Sequence, residues 1–111
     1  MYASVRKYAV DPDRIEEVMH RVDETFAPRL EEMPGFIAYQ AIPAGLDRSG
    51  EGRLFTVTIC DDLDAAERSA ALAAEFVREQ LGDVHIERLE AASGEVAVNR
   101  ASSGVLEAGH A

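Results

Sequence analysis

Three tyrosines, Tyr2, Tyr8 and Tyr39, carry the chemistry best suited to an aromatic or oxygen-bearing ligand. Each joins a flat apolar ring to a hydroxyl that donates or accepts a hydrogen bond. Such hydroxyls can orient an aromatic substrate or hold a peroxide; the same rings also serve ordinary strand packing. Arg6 and Asn99 are polar groups of the kind that touch a substrate, or that lie on a sheet surface or interface. On an unbroken helix Arg29 falls about 40° from the line of Ile15. That is inside the core-facing stripe, where a charge must be paired or line a cavity. Pro28 directly precedes it, and a kink there would swing Arg29 to solvent.

The three histidines are spread along the chain. His20 lies about 140° from Ile15, off the apolar stripe, and reads as a surface residue. His85 opens a strand and shares a face with Glu87 and Leu89. Imidazole as a group suits proton transfer, and it suits an edge or interface position as well. His110 is in the tail. No two histidines, and no histidine–carboxylate set, have the spacing of metal ligands. Cys60 is the single cysteine. It ends an apolar strand with no base near it and reads as a small core residue rather than a nucleophile. One cysteine excludes an intrachain disulfide and a thiolate zinc site. Gly45, Gly50 and Gly52 are scattered through a loop and do not make a phosphate cradle.

Composition narrows the partners. With 21 acidic and 11 basic residues in 111, the net charge is −10. That field repels a polyanion, and Arg6-Lys7 is the one basic pair, so neither nucleic acid nor an anionic membrane surface is an expected partner. A hydrophobic share of 47% is ordinary for a globular chain. Residues 1–6 lack an apolar leader core, and the most apolar run, 65–77, carries Glu67, Arg68 and Glu75, so no membrane span is expected. These features predict a cytoplasmic protein with one domain over residues 1–100 and a loose tail over 101–111.

The elements that must position these side chains follow from periodicity. Tyr2–Tyr8 alternates as a strand, with Ala3 and Val5 on one face and Tyr2, Ser4, Arg6 and Tyr8 on the other. Asp11-Pro12-Asp13 starts a helix whose stripe is Ile15, Val18, Met19, Val22, Phe26 and Leu30. Pro28 inside it costs about 3 kcal/mol in a regular helix and predicts a kink or break near residues 25–27. Met33-Pro34-Gly35-Phe36 ends the helix, turns the chain and opens a second strand, 36–42. Residues 43–52 read as a long polar hairpin loop. In the third strand, 53–60, Phe55, Val57 and Ile59 form a strongly apolar face, and Leu54, Thr56, Thr58 and Cys60 a mildly polar one. Such a strand wants cover on both sides. An alanine-rich helix follows, with Asp64 and Glu67 spaced as a capping box and Gly82 after its end. A fourth strand spans 84–90, 92–94 is a turn, and a short fifth strand spans 95–99.

This order predicts an α+β, ferredoxin-like split βαβ fold, with both helices on one face of an antiparallel sheet. The other face is left bare, which predicts a homodimer with two sheets facing each other.

The chain resembles the antibiotic biosynthesis monooxygenase-like family of the dimeric α/β-barrel superfamily. The resemblance rests on Phe26-Ala27-Pro28-Arg29-Leu30, Met33-Pro34-Gly35-Phe36 with Tyr39, and residues 56–62. It continues through Ala65-Ala66-Glu67-Arg68-Ser69, residues 76–81 and Gly94-Glu95-Val96, and covers about residues 2–100. It implies a homodimeric barrel with a pocket between helices and sheet in each protomer. Some relatives are cofactor-independent monooxygenases of polycyclic phenols or quinols; others degrade haem. This chain departs from the haem-degrading pattern, having no tryptophan and no asparagine in its first strand. The resemblance therefore implies a small aromatic ligand and no cofactor or metal. On this frame Tyr39, Arg29 and His85 are the catalytic candidates, and Tyr2, Arg6, Phe55 and Phe76 the substrate contacts. The alternative is a non-enzymatic dimeric binding or interaction domain. A pocket lined by Tyr39, Arg29 and His85 would favour the enzyme. One filled by Phe55, Val57, Phe76 and Met19 would favour the binder.

Overall fold

Four antiparallel strands form one sheet in the order β2-β3-β1-β4, as seen in a computed structural model that describes residues 1–46, 48 and 50–102. The strands are β1 (Tyr2–Val10), β2 (Phe36–Leu46), β3 (Gly52–Cys60) and β4 (Ile86–Glu95). Helices α1 (Ile15–Arg21), α2 (Ala27–Glu31) and α3 (Leu63–Gln80) pack on one face. The ferredoxin-like arrangement expected from the element order is the one observed.

The proline in the first helical segment is accommodated without a break. Val22–Phe26 forms a π-helical turn between α1 and α2, and the Ala27 N–H bonds to the Val22 carbonyl. Proline lacks an N–H and its ring crowds the carbonyl four residues back; a wider turn relieves both. Buried Val18, Val22, Phe26 and Leu30 recur every fourth residue. Such a stripe drifts around a regular helix, and the wide turn takes back part of the drift.

Gly35 has φ 85°, as the turn after Pro34 requires. Its carbonyl accepts from the Asp61 N–H at 2.8 Å, and a Cβ at this position would lie 2.8 Å from the Ala65 Cβ. The α3 cap is Asp62, whose carboxylate accepts from the Ala65 N–H at 2.9 Å. The expected Asp64–Glu67 box is thus displaced by two residues, because the helix begins at Leu63. The opposite end of α1 is tied down by charge. Arg14 and Arg21 both pair with Glu17 and with Asp83, which follows α3. The two guanidiniums hold the Asp83 carboxyl well below its ordinary range.

Three strand expectations change. β2 continues through Pro43 to Leu46, so the first four residues of the supposed loop are strand. Pro43 is tolerated because β2 is an edge strand with an irregularity between Pro43 and Gly45. Gly52 begins β3 and is buried, and a Cβ there would meet the Val10 carbonyl oxygen at 2.5 Å. Residues 92–94 do not turn: β4 pairs with β1 through Gly94 and Glu95, and a single strand replaces the expected two. The expected tail falls, from residue 103 onward, outside the described residues.

The two faces of β3 are covered differently. Leu54, Thr56, Thr58 and Cys60 are buried beneath the helices, while Phe55, Val57 and Ile59 point to the open face. On β1, Val10 packs into the core and Val5 is 43% exposed. No helix among the described residues is long and apolar enough to cross a membrane.

Candidate functional site

A cavity of about 430 Å³ opens between α3, β1 and β4. On α3 it is lined by Ala70, Ala73, Ala74, Val77 and Arg78, one face of the helix at 3–4-residue spacing. The alanine run expected to seat this helix against the sheet does two jobs. Ala65 and Ala66 are buried with Met33 and Cys60, in close packing. One turn further on, Ala70, Ala73 and Ala74 fill too little space to close the gap and leave the cavity open. The sheet contributes Arg6 and Tyr8 from β1 and Ile86 and Arg88 from β4. Tyr8 and Arg88 stand directly opposite each other across the strand pair.

Inward, the same walls continue to a narrow recess of about 30 Å³. It is bounded by Phe26, Tyr39, Leu54, Thr56 and Phe76 together with Arg6 and Tyr8. Phe26 contacts both other rings: Tyr39 edge-on at 5.4 Å between centroids and Phe76 at 5.2 Å. Tyr39 also lines a separate surface cleft of about 350 Å³ with Met19, Val22 and Ala41, so it divides the recess from that cleft.

Tyr39 reaches the helix side through a bulge. It is three residues from Phe36, and regular alternation would send the two to opposite faces. The register shift between Phe36 and Ala38 restores both to the helix face, opposite Cys60 and Thr58. Burial raises the pKa of the Tyr39 hydroxyl above its ordinary value, Tyr8 adds to this, and Arg6 partly opposes it. Tyr39 is therefore a neutral hydrogen-bond donor at physiological pH and not a base.

Of the seven residues singled out for catalysis or binding, Arg6, Tyr39 and Phe76 meet around this cavity. The other four do not. Tyr2 packs with Cys60 and Met33. Arg29 is turned outward by the π-turn and Pro28, and pairs with Glu79 at 3.9 Å. His85 is exposed ahead of β4, where its carbonyl accepts from the Asp11 N–H. Phe55 lies on the open face with the Lys7 ammonium 6.0 Å from its ring. The contrast between a polar and a filled pocket resolves as a mixture, with Tyr39 and Phe76 inside it and Phe55 and Val57 beyond the sheet. Cys60 is fully buried and burial pushes its thiol pKa up, as suits a core residue. His20 is exposed and pairs with Glu24.

Arg78 and Arg88 escaped the sequence reading, although both left a signal. Arg78 ends the small-residue stripe of α3, and Arg88 alternates with core-facing Ile86. The cavity and recess have no carboxylate or imidazole among their described lining residues. Nor does any group of three histidine, cysteine or acidic side chains among the described residues come together as a metal site. The arrangement can hold a flat apolar body against aromatic rings and stabilise negative charge at its mouth.

No family model matches the chain, and no curated protein matches it. Solved structures do. HapK from Hahella chejuensis superposes with a TM-score of 0.71 at 17% identity, over 92% of this chain and 99% of that one. A dimeric ferredoxin-like protein from an uncultured marine organism gives 0.65 at 14%, over 92% and 100%. SnoaB, a cofactor-independent oxygenase from Streptomyces nogalater, gives 0.59 at 18%, over 88% and 94%. At such identities the likeness is one of fold, and the chain has the ferredoxin-like fold on which the antibiotic biosynthesis monooxygenase-like proteins are built.

Proposed function

We propose that this protein is a cofactor-independent monooxygenase acting on a small aromatic phenol or quinol in the cavity beneath α3. The observation that carries this reading is the pairing of an aromatic recess, Phe26–Tyr39–Phe76, with the guanidinium of Arg6 on its wall. The fold shared with a cofactor-independent oxygenase supports it.

The chemistry follows from what the lining can do. A nearby cation favours the ionised form of a phenol, so Arg6 lowers the substrate's pKa. The neutral Tyr39 hydroxyl donates to the oxyanion and holds it in place. The proton leaves through the open mouth to solvent. The electron-rich ring carbon, carrying two hydrogens in the keto form, then reacts with dioxygen. One oxygen atom forms a new C=O bond, and the other departs as water with the carbon's remaining hydrogen and one proton returned from solvent. The apolar walls orient the ring and keep the reactive carbon dry. Oxygen uptake with a panel of anthrones and hydroquinones tests this. Consumption that falls at least tenfold in Tyr39→Phe supports it; equal rates in both proteins, or none, defeat it.

The absence of a carboxylate or imidazole from the described lining favours a second reading, a non-enzymatic binding domain. Tight binding of the same compounds without oxygen uptake would select it. In either reading the protein acts as a homodimer. The open sheet face carries Val5, Phe55, Val57, Ile59 and Ile42, of which Val5 and Ile42 are 43% and 46% exposed. A second copy of that face would cover this surface, as the dimeric ferredoxin-like neighbour suggests. Sedimentation equilibrium at micromolar concentration should give the dimer mass, and a monomer would refute the assembly.

A further inference from the structure

We infer that Arg78 and Arg88 in the outer cavity, with Arg6 where it meets the recess, form an anion-recognition site, and that the ligand of this cavity is an aromatic carboxylate. The inference builds on the pocket assigned above but not on its reaction. Three arginines line one cavity, from β1, α3 and β4. Like charges around a small volume repel one another unless something negative lies between them.

The chain has acid to spare, with 21 carboxylate side chains against 11 cations. Elsewhere it uses them: Arg14 and Arg21 share Glu17 and Asp83, Arg29 meets Glu79, and Arg68 meets Asp64. Around this cavity it does not. Arg6, Arg78 and Arg88 have no ion pair among the described residues, and no acidic side chain lines the cavity with them. The strand register keeps acids away. Glu87 and Glu90 of β4 stand opposite Ala9 and Lys7, on the face away from Tyr8 and Arg88. On α3, Glu79 is drawn to Arg29 on the other side.

A guanidinium presents a planar fork that matches a carboxylate, and a ligand carboxylate would neutralise what the fold leaves unpaired. The rest of the lining, Tyr8, Ala73, Val77 and Ile86, is apolar or aromatic and leads inward to Phe76. A volume of about 430 Å³ lies in the range of small-molecule sites. The site therefore takes a flat hydrocarbon body inward and its acid group at the mouth. The net charge of −10 makes a dianion such as a phosphate ester costlier to bring in than a monoanion.

Calorimetric titration of the full chain with 2-naphthoate, its neutral amide and 2-naphthyl phosphate tests the assignment. Naphthoate should bind at least tenfold tighter than the amide and tighter than the phosphate, and the preference should weaken as salt rises. Both Arg78→Gln and Arg88→Gln change exposed side chains and should keep the wild-type melting curve. Each should reduce naphthoate affinity about fivefold or more, with Arg→Lys restoring part of it. Equal affinity for acid and amide, a preference that survives the double substitution, tighter phosphate binding, or no binding at all would overturn the proposal. Oxygen uptake separates it from the reaction. Carboxylate selectivity without turnover defeats the monooxygenase and leaves this site, whereas turnover with no carboxylate selectivity does the reverse.

Discussion

Phe26 meets the ring of Tyr39 edge-on, with planes 78° apart and centroids separated by 5.4 Å. The contact joins two irregularities. Phe26 closes the π-turn made necessary by Pro28, and Tyr39 reaches the helix side only through the bulge after Phe36. Two local departures from regular structure thus build the inner wall of the cavity. Truncating Phe26 to Ala should cost about 3–5 kcal/mol, because it empties a 4%-exposed site touched by two other rings. Urea denaturation followed by circular dichroism measures this, and a loss below about 1 kcal/mol would show that the cluster is not packed as described.

Tyr39 has a pH signature. Its folded pKa lies above the ordinary value of 10.0, chiefly through burial, so the native state holds a proton that the unfolded chain releases. The sign follows: its contribution to stability is intact below about pH 10 and is lost as the pH rises beyond it toward the raised native value. Tyr39 should resist ionisation in an alkaline spectrophotometric titration until the protein unfolds, and Tyr39→Phe should abolish that delayed step. A native-state titration with no delayed step would contradict the burial.

Ala73 lines both the outer cavity and the recess. Ala73→Leu places extra methyl groups into open volume and should change stability by no more than about 1 kcal/mol, below the usual cost of overpacking. It should nevertheless weaken aromatic ligands by about tenfold. Titration alongside a thermal melt separates the two effects; unchanged affinity would move the ligand elsewhere.

Val57→Asp places a carboxylate at the middle of the open sheet face, within the interface of the proposed dimer. An uncompensated charge in an apolar interface costs several kcal/mol, so the variant should sediment as a monomer. A variant that stays dimeric would locate the interface on another surface.

Gly35→Ala combines a φ of 85° with a Cβ only 2.8 Å from that of Ala65. The backbone strain alone is about 1–3 kcal/mol, and the clash adds to it. The melting temperature should fall by several degrees; an unchanged value would mean that the turn can relax.

The element order was legible in the chain, since helical and strand periods are local properties of neighbouring residues. Pro28 marked its own disturbance, though not the form it takes. The π-turn depends on keeping Val18, Val22, Phe26 and Leu30 on one buried line, which is a requirement of the core. The strand faces were not legible. Phe55, Val57 and Ile59 look like the natural floor for the helices, yet the helices cover Leu54, Thr56, Thr58 and Cys60. Alternation separates two faces without saying which one the crossovers cover, and a large apolar face can equally await a second copy.

By itself the sequence determined the kinds and order of the elements as far as the fourth strand, the turn at Gly35 and the acidic balance of the whole. Tertiary structure decided which residues share a cavity. The reason is register: a bulge after Phe36 and another between Lys7 and Tyr8 re-aim every side chain beyond them, and only strand pairing reveals them. Those shifts bring Tyr39 beneath the helices and set Arg88 across from Tyr8, while Arg29, His85, Tyr2 and Phe55 are left outside the cavity.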